Sequence, residues 1–412
     1  MVPKGWMLKQ LSDIVKEKIS YGIVQAGPHI PNGIPYIKSS DIRGAIDPAS
    51  LQRTAPEIHY KYRRSAVHPG DIIFSLRGNI GETAIVPSNL LEANLTQGTA
   101  RISVSSDQCN EFYHQQFAMD KLRNHINSLS KGSTFKEISL EELRKVKVLC
   151  APLPEQKKIA QILSTWDKAI TVTEKLLVNS QQQKKALMQQ LLTGKKRLLD
   201  ENGVRFSGEW EKGKFCDMAN IDTGYAFKSK DFTQSDSGIP IIRMSDFKTG
   251  GLDVLGAAKV DRDSVNGLDK FKLRVGDFVF GMSGSLNNYG RVEKKDLPCY
   301  LNQRVGRILA KECANQAFIT YLYLSDSIQQ SILDKAAGAA QLNISISDLR
   351  SMVVYYPCIE EQQKIAAVLS AADAEISTLE KKLACLRDEK KALMQQLLTG
   401  KRRVKVDEAV AE

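Results

Sequence analysis

Lys184-Lys185-Ala186-Leu187-Met188-Gln189-Gln190-Leu191-Leu192-Thr193-Gly194-Lys195 occurs twice in this chain. The same twelve residues return without a change from Lys390 to Lys401, 206 positions on. The match continues upstream at that offset. Glu155-Gln156, Lys158-Ile159-Ala160 and Leu163-Ser164 recur as Glu361-Gln362, Lys364-Ile365-Ala366 and Leu369-Ser370, and Asp167 and Ile170 as Asp373 and Ile376. A repeat this long means duplication.

Both copies have the spacing of long helices. In the second, Ile365, Leu369, Ala372, Ile376, Leu379, Leu383, Leu386, Leu393 and Leu397 alternate steps of four and three, the seam of a coiled coil, with Lys390 interrupting. The first is looser: Ile159, Leu163, Trp166, Ile170, Leu177, Leu187 and Leu191, with Thr173, Ser180 and Lys184 between. Pro154 suits a first turn, and Gly194 and Gly400 suit left-handed C-caps followed by basic residues. About 40 helical residues at ~1.5 Å each make a rod of roughly 60 Å. The second seam needs a partner, and the first helix is the obvious one, running antiparallel. The expected fold is therefore α+β: two mixed α/β domains in a pseudo-two-fold arrangement, separated by two long antiparallel helices forming a coiled coil.

The chain has 412 residues, 42% of them hydrophobic and 25% charged, the balance of a soluble globular protein of two or three domains. Its formal net charge of +11 favours a polyanionic partner. No signal peptide and no run of apolar residues long enough to span a bilayer is apparent, so no membrane is expected. Seven scattered cysteines, with no Cys-x-x-Cys and no zinc spacing among Cys and His, indicate reduced thiols in a cytoplasm and no metal site.

Residues 1–150 alternate short apolar runs with turns, as a mixed domain should. Gly33 to Lys38, His68 to Ser75, Thr83 to Val86 and Ala100 to Val104 are expected strands. Phe112 to Leu129 is an expected helix, and Ser139 with Glu142 has capping-box spacing. Residues 151–200 form the first long helix. Residues 201–356 repeat the first domain in diverged form: Gly238 to Arg243, Gly276 to Phe280 and Leu301-Asn302-Gln303 answer Gly33 to Lys38, Gly70 to Phe74 and Leu95-Thr96-Gln97, and Trp210 answers Trp6. Residues 357–412 hold the second helix. The helices are copied closely and the globes loosely. Where the first globe has Ser75 to Glu82 and Gly132 to Lys136, the second has Gly281 to Asn288 and Gly338 to Leu342. Shared strands carrying different loops suit two readers of different targets.

Catalytic constellations are not apparent. Gly208 to Phe215 begins like a P-loop but ends in Phe where Ser or Thr should hold magnesium. Asp277 with Glu293-Lys294-Lys295 has the outline of a metal nuclease, but the first half has Glu82-Thr83-Ala84 there. The Asn-Pro-Pro-aromatic motif of adenine methyltransferases is missing, as is a Gly-x-Ser-x-Gly elbow. The polar loops suit DNA, where Arg pairs with guanine and Asn or Gln with adenine. The candidates in the first globe are Lys38, Arg43, Ser75, Arg77, Asn79, Thr96, Gln97, Ser133, Thr134 and Lys136. Those in the second are Arg243, Lys248, Ser283, Ser285, Asn287, Asn288, Tyr289, Asn302, Gln303, Arg304, Gln341 and Asn343. Lys195-Lys196-Arg197 and Lys401-Arg402-Arg403 suit either helix-end caps or phosphate contacts.

Pro152-Leu153-Pro154-Glu155-Gln156-Lys157-Lys158-Ile159-Ala160, its echo from Pro357 to Ala366, and the two Leu-Leu-Thr-Gly-Lys helix ends resemble the specificity subunits of Type I restriction–modification enzymes. The resemblance covers the whole chain in order: target-recognition domain, conserved helix, second recognition domain, conserved helix. The second copy departs in carrying Cys358-Ile359-Glu360 for Pro152-Leu153-Pro154. The resemblance implies that each domain reads one half of a bipartite site in double-stranded DNA. It implies partners too: two methyltransferase subunits bringing S-adenosylmethionine for adenine methylation, and restriction subunits bringing ATP and magnesium for cleavage. No cofactor is then expected in this chain, which is no enzyme itself. The competing reading is a two-armed coiled-coil scaffold joining proteins rather than DNA.

Overall fold

The computed structural model describes residues 2–132, 136–248, 251–285, 288–336 and 343–406. Two compact units emerge, and neither follows a domain-then-helix block. The first comprises 1–174 with 381–412, and the second 175–380.

In the first unit the strands are β1 (Met7–Gln10), β2 (Ser20–Tyr21), β3 (Ile34–Ile37), β4 (Arg53–Thr54), β5 (Ile72–Ser75), β6 (Thr83–Ile85), β7 (Asn94–Leu95), β8 (Thr99–Ile102) and β9 (Lys147–Cys150). The helices are α1 (Pro56–Lys61), α2 (Asn110–Phe117), α3 (Asp120–Ser128), α4 (Leu140–Lys145) and the first part of α5 (Leu153–Leu191). An antiparallel sheet has the order β2-β8-β5-β6, a smaller one β4-β3-β7, and β1 pairs with β9. β5 explains the layering. Its residues alternate sides, so Ile72 and Phe74 enter a core with Ala100, Ile102, Phe112 and Phe117, while Ile73 enters another with Ile37, Val67 and Leu95. Both faces are covered, so the strand is apolar from Ile72 to Phe74. The helix expected over Phe112 to Leu129 breaks at Ala118-Met119 into α2 and α3. The Ser139 hydroxyl accepts from the Glu142 backbone N–H at 3.1 Å, which starts α4 as the spacing indicated.

The second unit repeats the plan with β10 (Glu211–Lys214), α6 (Phe215–Met218), β11 (Ala219–Thr223), β12 (Phe232–Thr233), β13 (Ile239–Ile242), β14 (Phe247–Lys248), β15 (Gly251–Leu252), β16 (Lys259–Val260), β17 (Phe278–Gly281), β18 (Tyr289–Arg291), β19 (Tyr300–Leu301), β20 (Val305–Ala310) and β21 (Val353–Tyr356). Its helices are α7 (Gln316–Tyr323), α8 (Asp326–Ala336), α9 (Ile346–Ser351) and the first part of α10 (Ile359–Leu397). The sheet order β11-β20-β17-β18 answers β2-β8-β5-β6. The alternation returns as well: Phe278 and Phe280 face one core, Val279 another.

Within each unit an early stretch of one long helix packs antiparallel on the late stretch of the other. Ile159 and Leu163 share the first core with Met394, Leu397 and Leu398. Ile365 and Leu369 share the second with Leu191 and Leu192. The polar interruptions of the seam are clasps. Lys390 reaches Asp167 at 2.6 Å, and its repeat Lys184 reaches Asp373 at 2.5 Å. Ser180 donates to Glu375 at 3.1 Å, and buried Thr173 turns its hydroxyl onto the Ala169 carbonyl at 2.8 Å. Past the helix ends, Gly194 and Gly400 take φ of 69° and 65°, the left-handed conformation expected of them.

The same logic accounts for the repeated Glu-Gln pair. Glu155 is buried and takes both guanidinium donors of Arg403, at 2.6 and 2.7 Å, and the Trp6 indole N–H at 2.9 Å. Glu361 is buried and takes Arg197 in the same two-pronged way, at 2.7 and 2.6 Å. Gln156 accepts from the Cys109 N–H ahead of α2, and Gln362 from the Asn315 N–H ahead of α7. Arg197 and Arg403 are thus each engaged by a buried carboxylate of the same unit, which ties the stretch past one helix end to the start of the other helix.

Candidate nucleic-acid interface

In each unit the sheet connectivity gathers several loops at one end. β3 and β7 run parallel and finish side by side, with the Thr96 N–H donating to the Ile37 carbonyl at 3.1 Å. β5 finishes beside the start of β8, and the Leu76 N–H donates to the Gly98 carbonyl. Ile138 then donates to the Leu76 carbonyl, which brings in the segment before α4. The loops after Ile37, Ser75 and Leu95 and the stretch around Lys136 therefore share one edge. The second unit does likewise: Asn302 donates to the Ile242 carbonyl, Met282 to Arg304, and Ile344 to Met282.

Most expected residues lie on these loops. Lys38 opens a turn in which its N–H donates to Asp41 at 2.9 Å, and Arg243 opens the corresponding turn on Asp246 at 2.9 Å. Arg43, Asn79 and Lys136 are exposed, while Thr96 and Gln97 are half-buried in the turn between β7 and β8. Arg77 is exposed and pairs with Glu137 at 2.9 Å, and Asn79 leans on Glu82 at 3.2 Å. In the second unit Gln303, Arg304, Ser285 and Asn343 are exposed, and Asn302, Ser283 and Asn288 are half-buried. Lys248 pairs with Asp253 at 2.8 Å on the β14–β15 hairpin.

Two candidates are drawn inward. Ser75 is fully buried and its hydroxyl donates to the Arg77 carbonyl at 2.8 Å, so it shapes the loop from within. Tyr289 packs on the second core with its ring 5.9 Å from that of Phe278, and burial pushes its hydroxyl pKa up. Ser133, Thr134, Asn287 and Gln341 lie outside the described residues.

One contributing element is not apparent from the sequence. The segment after β2 joins the loop end: Gly22 and Ile23 donate to the Thr96 and Leu95 carbonyls at 3.2 and 2.6 Å, and Gln97 donates back to Ile23 at 2.9 Å. Gly224 and Tyr225 do the same against Leu301, Val305 and Gln303. A Cβ on Gly22 would lie 1.9 Å from the Leu95 carbonyl oxygen, and one on Gly224 2.1 Å from that of Leu301, so only glycine allows the approach. Its one trace in the sequence is a Gly repeated 202 positions apart, which a search at the helix offset of 206 passes over. Val24 and Gln25, next along, are exposed.

The helix repeat presents a different surface. Of its twelve residues, Lys185, Ala186, Gln189, Gln190 and Lys195 are exposed, as are their counterparts Lys391, Ala392, Gln395, Gln396 and Lys401. Packing explains identity at Leu191 and Leu397, and at the exposed positions Gln189 donates to Asp326 at 2.9 Å and Lys391 pairs with Asp120 at 2.9 Å, while Ala186, Gln190 and Lys195 lie outside the cores. Beside the first copy a groove of about 670 Å³ opens, lined by Lys185, Met188 and Leu192 with Leu324, Val353 and Tyr355. Among the described residues no helix is long and apolar enough to cross a membrane, and no group of His, Cys, Asp and Glu could hold a metal ion.

Comparison with known proteins agrees with this architecture. The family described as Type I restriction modification DNA specificity domain matches residues 3–179 and again 207–386. The chain is 25% identical over 417 residues to the Type I restriction enzyme MjaVIII specificity subunit of Methanocaldococcus jannaschii, covering 98% of this chain and 94% of the relative. It is 24% identical over 374 residues to the EcoBI specificity subunit of Escherichia coli, covering 85% and 76%. Among solved structures, the S subunit of a Type I restriction–modification system from M. genitalium superposes with a TM-score of 0.63 at 14% identity, over 96% of this chain and 99% of that one. Two copies of one domain, each built around an end of loops and each claiming part of both long helices, account for the doubled match: the chain belongs to the Type I restriction–modification specificity subunits.

Proposed function

We propose that this subunit addresses a methyltransferase and its restriction partner to a bipartite DNA site, each unit reading one half through its loop end. The observation that carries this is the contrast in copying. The two scaffolds share strand order and hydrogen-bond frame while the loops differ, so a common chemistry is not what was duplicated. Arg43, Arg77 and Gln97 in one unit, and Gln303, Arg304 and Asn343 in the other, supply the donors and acceptors that base edges require. The long helices set the separation of the half-sites.

The helix ends were copied with their exposed residues intact, which suits one partner bound twice. Two methyltransferase subunits docking at the repeated stretches, one beside the groove near Tyr355, fit that duplication. S-adenosylmethionine, ATP and magnesium then belong to the methyltransferase and restriction subunits, adenine methylation and cleavage are theirs, and the complex works in the cytoplasm. This chain performs no catalysis.

Exchanging residues 201–356 for those of a relative tests the reading. Methylation mapping should then show one half-site changed and the other kept. A change in both halves overturns the assignment of one half to each unit, and DNA binding that is weak and blind to sequence overturns the reading in favour of a protein scaffold.

A further inference from the structure

Strand register makes the two units comparable residue by residue along one edge. Ser20 on β2 faces Arg101 on β8, and Asp222 on β11 faces Arg307 on β20, so Ser20 and Asp222 are counterparts. Arg144 and Arg350, at the ends of α4 and α9, are counterparts as well, and each donates to a backbone carbonyl at this edge, of Ile19 and Ile221. Arg350 also has a carboxylate, Asp222, at 3.7 Å. For Arg144 the neutral Ser20 stands where that carboxylate would be, in the same cleft, and the Arg144 Nε is buried with no acceptor among the described residues.

Around Arg144 lies a cleft of about 460 Å³ that the first unit leaves open. Lys18 and Arg64, both exposed, line it with Glu17, Ser20 and Tyr21. The Ser20 hydroxyl donates to the Arg64 carbonyl at 3.2 Å and so steadies that residue's backbone. The nearby carboxylates are already engaged: Glu17 by buried Arg101, and Glu141 by Lys145 at 2.7 Å, with Glu142 4.0 Å from the same Lys145. Lys61 and Arg63 continue the basic flank in the exposed turn before Arg64. In the second unit the position of Arg63 is held by Asp269. One unit thus sets a carboxylate against the arginine that ends its short helix, where the other has a cleft whose lining carboxylate, Glu17, is paired with Arg101 and leaves Lys18, Arg64 and Arg144 uncompensated.

We propose that the cleft formed by Lys18, Arg64 and Arg144 holds a backbone phosphate of the bound DNA, in the place that the Asp222 carboxylate takes in the second unit. The position suits it. Ser20 is three extended residues, roughly 10 Å, from Ile23, which is hydrogen-bonded into the loop end. A duplex whose groove lies over that end brings a flanking strand past the cleft. Such a contact fixes register and carries no sequence information. The inference rests on the DNA-reading function proposed above.

The test uses the full-length chain, a duplex bearing the sequence methylated in the host, and a scrambled duplex. Ser20→Asp, which installs the second unit's own carboxylate, and Arg64→Ala should each weaken binding to both duplexes by about tenfold. Each should also make the plot of log affinity against log salt shallower by roughly 0.9 for every phosphate that is no longer neutralised, with the preference between duplexes kept. Arg64→Ala leaves the strand untouched and so guards against a folding defect in Ser20→Asp. Unaltered affinity and salt slope in both variants, with the wild-type preference intact, overturns the phosphate site alone. No preference in the wild type overturns the DNA-reading function itself. Inorganic phosphate titrated calorimetrically into the wild type separates the sources: saturable binding without DNA, lost in Arg64→Ala while DNA affinity stays constant, shows a site for free phosphate and overturns the proposal.

Discussion

Arg197 holds both carboxylate oxygens of Glu361, at 2.7 and 2.6 Å, although the two residues are 164 positions apart and the carboxylate is fully buried. Arg403 and Glu155 repeat the clasp. In each unit a residue just past the end of one long helix is therefore tied to the first turn of the other. Among the described residues neither buried Glu has a second cationic partner, which explains why both members of the pair recur in the two copies.

Arg197→Ala leaves Glu361 buried and unpaired, and breaking a pair of this kind costs about 3–5 kcal/mol. Hydrogen exchange followed by mass spectrometry should show loss of protection within residues 175–380, with residues 1–174 retaining theirs. The double change Arg197→Met with Glu361→Met should recover much of that loss, because no charge remains stranded. Equal protection in the single variant and the wild type would show the clasp to be dispensable.

Gly22→Ala forces a methyl group into the Leu95 carbonyl and should displace the segment carrying Val24 and Gln25 from the turn at Thr96 and Gln97. Crowding of this sort costs roughly 1–3 kcal/mol. Methylation of randomised sites should then lose stringency in the half read by the first unit and keep it in the other. Gly224→Ala should give the mirror result.

Seven residues added to α5 and seven to α10 at matched positions preserve the four-and-three seam and lengthen each helix by about 10 Å. The gap between half-sites should widen by about three base pairs, as methylome sequencing would detect. A gap of the original length would remove the helices from any role in spacing.

His114 sits on α2 with its Nδ1 2.9 Å from the Thr83 hydroxyl. Burial, helped by Lys390, holds its pKa below the ordinary histidine value, against opposing pulls from Asp167 and Glu111. The unfolded chain takes up this proton near pH ~6.5 and the folded chain only at lower pH. Stability of the first unit should therefore fall on acidification through that window, by at most about 1.4 kcal/mol per pH unit for one proton. Its counterpart is Thr320, so the second unit lacks this contribution. Thermal melts from about pH 7 down to about pH 5.5, spanning that window, should show a smaller decline for His114→Gln, and equal declines would discount the group.

The long helices were legible because a four-and-three apolar rhythm and a repeated cap are local properties of consecutive residues. The strands β3, β5, β6 and β8 were legible for the same reason, through alternation and turns, whereas β1 and β9 pair across the whole first domain and carry no such local signal. The break at Ala118-Met119 was not, since helical spacing of apolar residues persists through a bend. The candidate loops were found by their polarity, yet polarity alone places Ser75 and Arg77 together, and only burial separates the inward hydroxyl from the exposed guanidinium.

Duplication, helix pairing and the contrast between copied rods and diverged loops follow from the linear order of residues, because identity at one offset needs no third dimension. Which half of each helix joins which unit does not, nor do Arg197 on Glu361, Gly22 under Leu95, or Arg144 on the Ile19 carbonyl. Those depend on side chains distant in sequence meeting inside a low-dielectric interior, where a buried charge demands its partner. A glycine there is dictated by the backbone across from it rather than by its chain neighbours.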